Sequence, residues 1–360
     1  QAGRHCNGSK RGATMTRLAA TKIMAIADMD NHRDKWRGIR YRSITGTDAG
    51  TIMGVNPYYT PLSLYYRKMW GDEPPQGVSL DLMDNEAMYW GRQLEDIVAK
   101  EFCSRTGLKV RKCGMMRNKY AKWRVADVDR LIVNFAGGLE CKTTTAFNDK
   151  AWGVDKIPPH YRYQCLHYIL TLYCDAEGNL LVDKPPVWAI ACLIGGQKYV
   201  TRTIEYTQED LLALAKAEYE FYMRIINATP PDVSNRKIDQ DILAMLDGGD
   251  DTIGATEYIE DTMTELVNNE ALVKAYKDKV QMAKNRLVRC MINQKAGTCV
   301  GDIYKMTYKP VEPRETCSMA DIKAHPDIYK QLKDLGIIKQ SKATKRLTIK
   351  RYDDEDRAEV

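Results

Sequence analysis

Nothing in the chain approaches the roughly 18 uninterrupted apolar residues that a membrane span requires, which excludes a helical membrane protein. Residues 1–20 lack the apolar block of a secretory signal, so a soluble, cytoplasmic protein is expected. The ten cysteines are scattered singly, without one Cys-x-x-Cys pair. Reduced, mostly buried thiols follow, and the missing clusters argue against disulfide scaffolds and iron–sulfur centres. No internal repeat is visible. What remains is a chain of 360 residues, 44% hydrophobic and 28% charged, long enough for one large core or two moderate ones.

The net charge of +6 does not by itself mark a nucleic-acid binder, but its distribution is uneven. Residues 1–45 carry ten Lys or Arg against three Asp, whereas Asp353, Asp354, Glu355 and Asp356 make an acidic tail. A basic segment suits a phosphate backbone, and equally a solvated arm. Because the first residue is Gln1 rather than Met, residues 1–14 are read as an upstream remnant without functional weight.

Periodicity and turn signals divide the rest. Residues 1–35 read as a basic arm, partly remnant or unstructured, and 36–230 as a mixed α/β domain. Within it helices are expected at 62–70, 84–106, 160–173 and from Thr207 onward. Strands are expected at 108–110, 123–133, 139–144, 187–193 and 198–205, with Ala136-Gly137-Gly138 turning the second into the third. Residues 231–256, with Pro230-Pro231 before them and Gly248-Gly249 within, read as a linker, and 257–360 as a long helix followed by a small α/β region. In that helix, expected over 257–293, Ile259, Met263, Leu266, Val273, Val280, Leu287 and Met291 form a heptad-like stripe. Glu270, Lys277 and Lys284 interrupt it, which favours packing on the body over a long coiled coil. A strand at 302–308, a helix within 318–335 and a strand at 346–351 complete the reading.

The chemistry concentrates in one hairpin. Asp129 lies near the end of one expected strand, and Glu140-Cys141-Lys142 begins the next. Strand alternation puts Glu140 and Lys142 on one face and Cys141 on the other. Two carboxylates converging across a hairpin offer oxygen ligands to a hard divalent cation such as Mg²⁺. A lysine beside them orients or deprotonates the attacking water and offsets charge in a phosphoryl transition state. Asp127 is an alternative to Asp129, two residues further from the turn.

This pattern resembles the PD-(D/E)xK nuclease signature, and its flanks sharpen the likeness. Ala87-Met-x-Trp-Gly-x-Gln-x-Glu95, Leu139-Glu-Cys-Lys-Thr143 and Tyr163-Gln-Cys-Leu-His-Tyr168 are similar to motifs of the YqaJ-type viral recombinases and of the lambda exonuclease family. Ile44-Thr-Gly-Thr-Asp-Ala-Gly-Thr-Ile-Met-Gly54 is similar to that family's Gly-Gly-Ser-Asp-Ala-Ala block, with Thr47 where the family usually has Ser. His325-Pro-x-x-Tyr329 extends a looser likeness into the C-terminal region.

The resemblance implies a PD-(D/E)xK core, a mixed central sheet flanked by helices, with a helical and small β C-terminal region. It implies a 5′-to-3′ exonuclease on linear double-stranded DNA that leaves 3′ overhangs for a single-strand annealing protein in the bacterial host cytoplasm. Asp129, Glu140 and the backbone carbonyl of Cys141 would bind Mg²⁺, with Mn²⁺ as a substitute. Glu95 would join a second ion, Lys142 would act as base or water-orienting group, and Gln164 would hold water or lysine. Arg40 and Thr47 would receive the 5′-phosphate, and a trimeric ring would enclose the duplex. From the residues alone, Glu95 also reads as an exposed helix glutamate, Gln164 as a satisfied buried amide, and Thr47 or Asp48 as a helix cap. His167 and Cys165 read as core or lining residues. An endonuclease of the same fold, or a degenerate DNA-docking module, competes with the exonuclease reading.

Overall fold

The computed structural model describes residues 18–71, 86–246, 253–311, 313 and 316–339. It divides into two compact units, 1–246 and 247–360.

The first unit runs β1 (Ala20–Met24), α1 (Ile26–Asn31), α2 (Arg33–Tyr41), α3 (Gly46–Ile52), α4 (Pro61–Trp70) and α5 (Glu86–Thr106). It continues β2 (Val110–Arg111), β3 (Gly114–Asn118), β4 (Val125–Val128), β5 (Arg130–Ile132), β6 (Gly137–Thr144) and α6 (Pro159–Tyr173). It closes with β7 (Val187–Ile194), β8 (Lys198–Thr203), α7 (Gln208–Ile226) and α8 (Lys237–Met245). The five-stranded sheet has the order β2-β5-β6-β7-β8. Only β6 and β7 are parallel, joined through α6, and the other neighbours are antiparallel. A second, antiparallel sheet has the order β1-β3-β4. The expected mixed α/β core with a central mixed sheet is therefore the observed one.

Helix α6 is the centre of this unit. Every residue from Gln164 to Tyr173 is buried, and a helix apolar all round is stable only when other elements surround it. It packs on Trp188, Ile190 and Cys192 of the large sheet, on Met116 and Ala126 of the small one, and on Leu211, Leu214 and Ala215 of α7. Leu166, Ile169, Leu170 and Leu172, all fully buried, each contribute on the order of 1.5–3 kcal/mol by leaving water. The helix is thus a rigid platform for any side chain it presents to β6.

Helix α3 lies tightly against α6 through two glycines. A Cβ on Gly46 would stand 2.6 Å from the Tyr168 ring, and one on Gly50 would stand 2.7 Å from the His160 Cα. Gly50→Ala is therefore expected to lower stability by about 1–3 kcal/mol, as overpacking does. Gly38, inside α2 with nothing within 4 Å of its missing Cβ, should instead gain up to about 1 kcal/mol on change to Ala. Urea midpoints of the two variants check this pair, and equal shifts would contradict the packing.

Several boundaries differ from the sequence expectation. The single strand expected at 123–133 is two strands in different sheets, with a bend at Asp129 between them. The turn is formed by residues 133–136, where Asn134 takes φ 68°, and Gly137 and Gly138 belong to β6. They are needed for close approach: a Cβ on Gly137 would meet the Val187 carbonyl oxygen at 1.9 Å, and one on Gly138 would meet the Trp188 ring at 2.6 Å. In the stretch read as an arm, Ala20–Met24 is a strand paired with β3, with its two end residues Ala20 and Met24 buried and a register shift between Lys22 and Met24. In the stretch read as a linker, α8 is held to the N-terminus of α4, where the Thr60 hydroxyl donates to buried Asp239.

The second unit has α9 (Glu257–Asn293), the antiparallel pair β9 (Thr298–Val300) and β10 (Lys305–Thr307), and the helices α10 (Met319–Lys323) and α11 (Pro326–Asp334). The expected helix within 318–335 is broken in two because Pro326 cannot continue one helix and instead starts the next. The strand expected at 346–351 and the acidic tail lie outside the described residues. No helix among the described residues is long and apolar enough to cross a membrane.

Candidate active site

The β5–β6 hairpin sets the geometry. Arg130 pairs with Leu139, so Asp129 and Glu140 are opposed one step further along. With β5 ended, the Cys141 amide donates to Asp129 Oδ2 at 2.8 Å. The N–H and C=O of one strand residue face the same neighbour, so the Cys141 carbonyl is directed to the Asp129 edge as well.

Alternation divides β6 as expected. Leu139 and Cys141 pack with Val98, Ala99 and Phe102 of α5, while Glu140 and Lys142 meet α6. Lys142 Nζ lies 2.5 Å from Glu140 Oε1 and 4.6 Å from the centre of the Tyr161 ring. Gln164 Nε2 donates to Glu140 Oε1 at 2.6 Å and to the Tyr168 hydroxyl at 2.7 Å. Glu140 Oε2 is buried and has no protein partner.

The electrostatics follow from crowding. Burial, then Glu140, then Glu95 push the Asp129 carboxyl well above the usual range, against the opposing pull of Lys142 and the Cys141 amide. Burial alone would lower Lys142, but Glu140, Tyr161 and Asp129 together raise it far above an ordinary lysine. It is held as an ammonium, which favours orienting and charge-neutralising roles over a base. Burial, Asp129 and Glu140 push the Cys141 thiol upward, so it is no thiolate nucleophile.

Glu95 comes near this site from α5, but its carboxylate is paired with Arg130, which also holds Asp96. Among the described residues no three of His, Cys, Asp or Glu make a ready cage. The carboxylates of Asp129 and Glu140 are a donor set that fits Mg²⁺, which usually takes one or two carboxylates and completes its shell with water and substrate oxygens. Glu140 Oε2, buried and unpaired beside Asp129, is the kind of atom such an ion would satisfy.

The second group of expected residues is brought together on α2 and α3. Arg40 Nη2 donates to Thr47 Oγ1 at 2.9 Å, and Arg40 Nη1 donates to Asp127 Oδ2 at 2.8 Å. Trp36 Nε1 donates to the same Asp127 oxygen at 3.0 Å, and its ring lies under the Arg40 guanidinium. Asp127 Oδ2 is therefore taken by Arg40 and Trp36, while its Oδ1 is buried without a protein partner. The cap of α3 is Thr45, which exchanges hydrogen bonds with Asp48 in a capping box. Thr47 is left to meet Arg40, and Asp48 is buried against Arg67 and Lys68.

Sequence reasoning missed Tyr168, although it stands one turn from Gln164 on the same face. It also missed the role of Trp36 and Asp127 around Arg40. His160, burial and Lys142 having pushed it down to about 4, is a neutral ring at the start of α6. No local signal marked it. His167 and Cys165 are fully buried.

Residues 35–174 match the YqaJ-like viral recombinase domain. Over 270 residues the chain is 35% identical to the uncharacterized protein YqaJ of Bacillus subtilis (strain 168), covering 74% of this chain and 75% of that protein. Among solved structures, an alkaline exonuclease (LHK-Exo) from Laribacter hongkongensis aligns with a TM-score of 0.41 and 14% identity, over 54% of this chain and 94% of that one. A phage related exonuclease from Haemophilus somnus 129PT aligns with a TM-score of 0.35 and 13% identity, over 52% and 96%. Likenesses so distant carry no part of the assignment. The identity to YqaJ, spread over three quarters of both proteins, does: the chain belongs to the YqaJ-like viral recombinase family.

Proposed function

We propose that the chain is a Mg²⁺-dependent 5′-to-3′ exonuclease that digests linear double-stranded DNA and leaves 3′ overhangs for a single-strand annealing protein in phage-type recombination. The supporting observation is the unpaired, buried Glu140 Oε2 opposite Asp129, with Lys142 and Gln164 fixed on the other oxygen of the same carboxylate. Asp129, Glu140 and the Cys141 carbonyl would hold Mg²⁺, or Mn²⁺ in its place, and Glu95 would serve a second ion by exchanging its Arg130 partner. Bound there, the metal would supply Lewis-acid polarisation of the phosphodiester and offset charge on its reacting oxygens. Lys142, held as an ammonium, orients the water and offsets charge on the phosphoryl oxygens. Gln164, braced by Tyr168, keeps Glu140 in one rotamer. A trimeric ring around the duplex would add processivity through backbone contacts that carry no base information.

Incubation with linear and covalently closed forms of one plasmid, with and without Mg²⁺, tests this reading. Linear DNA should disappear only with the metal and circles should survive. Nicked circles would mean an endonuclease, and two intact substrates a binding module.

The end preference follows from Arg40 and Thr47. Asp127 and Trp36 hold the guanidinium beside the Thr47 hydroxyl, and its remaining N–H donors suit a terminal phosphate. Duplex with a 5′-phosphate should therefore be digested faster than duplex with a 5′-hydroxyl, and Arg40→Ala should remove most of that difference. Equal rates on the two ends by the unaltered protein would leave the pair a purely structural contact.

A further inference from the structure

Helix α9 carries a repeat that the nuclease reading does not use. Ile259, Leu266, Val273, Val280 and Leu287 recur every seven residues along one unbroken helix. At 1.5 Å per residue, its 37 residues extend about 55 Å. Val273 is 51% exposed, Val280 53% and Leu287 50%. The residues four positions on include Glu270, Lys277 and Lys284, which interrupt a stripe drawn through that side. Those three positions on do not: Thr262, Asn269, Tyr276, Ala283 and Cys290 are uncharged, and Tyr276 is 64% exposed. On this side no charged residue interrupts the seam along the five repeats, whose second line is polar at Thr262 and Asn269 and apolar from Tyr276 onward.

Charge along the helix is polar. Residues 257–270 hold five acids (Glu257, Glu260, Asp261, Glu265, Glu270) and no Lys or Arg, whereas 271–293 hold six bases against the single Asp278. A parallel pair of such helices would lay acid on acid and base on base. An antiparallel pair lays each acidic half on a basic one. The repeat is also symmetric about Val273, so the antiparallel arrangement sets Ile259 on Leu287, Leu266 on Val280, and Val273 on its own copy. A two-fold interface requires this self-complementarity.

We infer that α9 is a self-association surface that takes a second copy of this chain as an antiparallel helical pair centred on Val273. The inference rests on no property of the Asp129–Glu140 site.

The test uses the full chain with Cys290→Ser, which removes the native thiol on the seam. Ile259→Cys and Leu287→Cys chains are mixed, oxidised mildly, and the linked peptides identified by mass spectrometry. The expected product is a 259–287 disulfide between chains, with no 259–259 product. Adding Val273→Glu to both chains, which apposes two carboxylates at the two-fold axis, should reduce that product at least tenfold. Val273 is half exposed, so helix content by circular dichroism should be unchanged. A 259–259 product would establish a parallel pair and overturn the inference. So would absence of the 259–287 product, or a yield that Val273→Glu leaves unaltered.

Discussion

Glu140→Gln, Asp129→Asn and Lys142→Ala are each expected to lower the rate of DNA cleavage by roughly three or more orders of magnitude, the scale of losing a catalytic unit. The fold should persist. In Glu140→Gln the amide oxygen can still accept from Lys142 and Gln164, which now meet Oε1. The amide nitrogen then takes the place of Oε2, which has no protein partner to lose, but it presents hydrogens where a cation needs an oxygen. In Asp129→Asn the side-chain oxygen still accepts from the Cys141 amide, while the negative charge is gone. Single-turnover rates on linear duplex, together with thermal midpoints, check the set. Asp127 offers a contrast, since its carboxylate serves Arg40 and Trp36. If Asp129→Asn kept more than about a tenth of the rate, the metal-binding role would pass from Asp129 to Asp127 or the site would fall.

The second large effect is on stability. Arg124, His167 and Glu218 form a triad with no exposed side-chain surface. Glu218 Oε2 accepts from Arg124 Nε at 2.7 Å, and Oε1 meets His167 Nδ1 at 2.7 Å. His167 Nε2 faces the Val125 carbonyl oxygen at 2.9 Å. Both ring nitrogens therefore have an oxygen partner within hydrogen-bond distance. The triad ties α7 to α6 and to β4, three residues from Gln164. Glu218→Ala would strand the buried Arg124 guanidinium without its counter-ion and leave His167 Nδ1 without its partner, a change that costs about 3–5 kcal/mol and lowers the midpoint of a domain this size by roughly 6–20 °C. Burial opposes ionisation of Glu218, but His167 and Arg124 overcome it and hold the carboxyl below its usual range. The sign is that of a depressed acid: its contribution is full above the unfolded value, near about 4.3, and disappears as pH falls through the folded value. The gap in midpoint between the unaltered chain and Glu218→Gln should therefore be wide at pH 7 and narrow as the pH falls below the unfolded value of about 4.3. A gap independent of pH would show that packing, not charge, holds the triad.

The elements that place the candidate chemistry were legible before any tertiary information. Alternation alone sets Glu140 and Lys142 on one face of β6, and the apolar run with Pro158-Pro159 before it marks α6 with Gln164 near its start. These relations hold within one strand or one helix, where backbone geometry makes side-chain direction a function of sequence spacing. The break at Asp129 was not legible. Residues 125–132 carry one continuous strand pattern, and the bend appears because its two halves pair with different sheets. Nor were Gly137 and Gly138 legible as close-packing residues, since a glycine pair before a strand reads equally as a turn.

Partner choice over long distances was decided only by the tertiary structure. Asp127 and Asp129 have the same local pattern, yet Trp36, 91 residues from Asp127, claims one of them together with Arg40, and the hairpin claims the other. Glu95 sits in a motif that suggests a metal ligand, and Arg130, 35 residues away, holds its carboxylate. Glu218 is one acid among several on an amphipathic helix until α7 docks and brings it to Arg124, 94 residues distant. The physical reason is the same in each case. Periodicity fixes which face of an element a side chain occupies, but the desolvation that makes a charge seek one partner arises only when that face is buried against another element, and the sequence alone does not say which element that is.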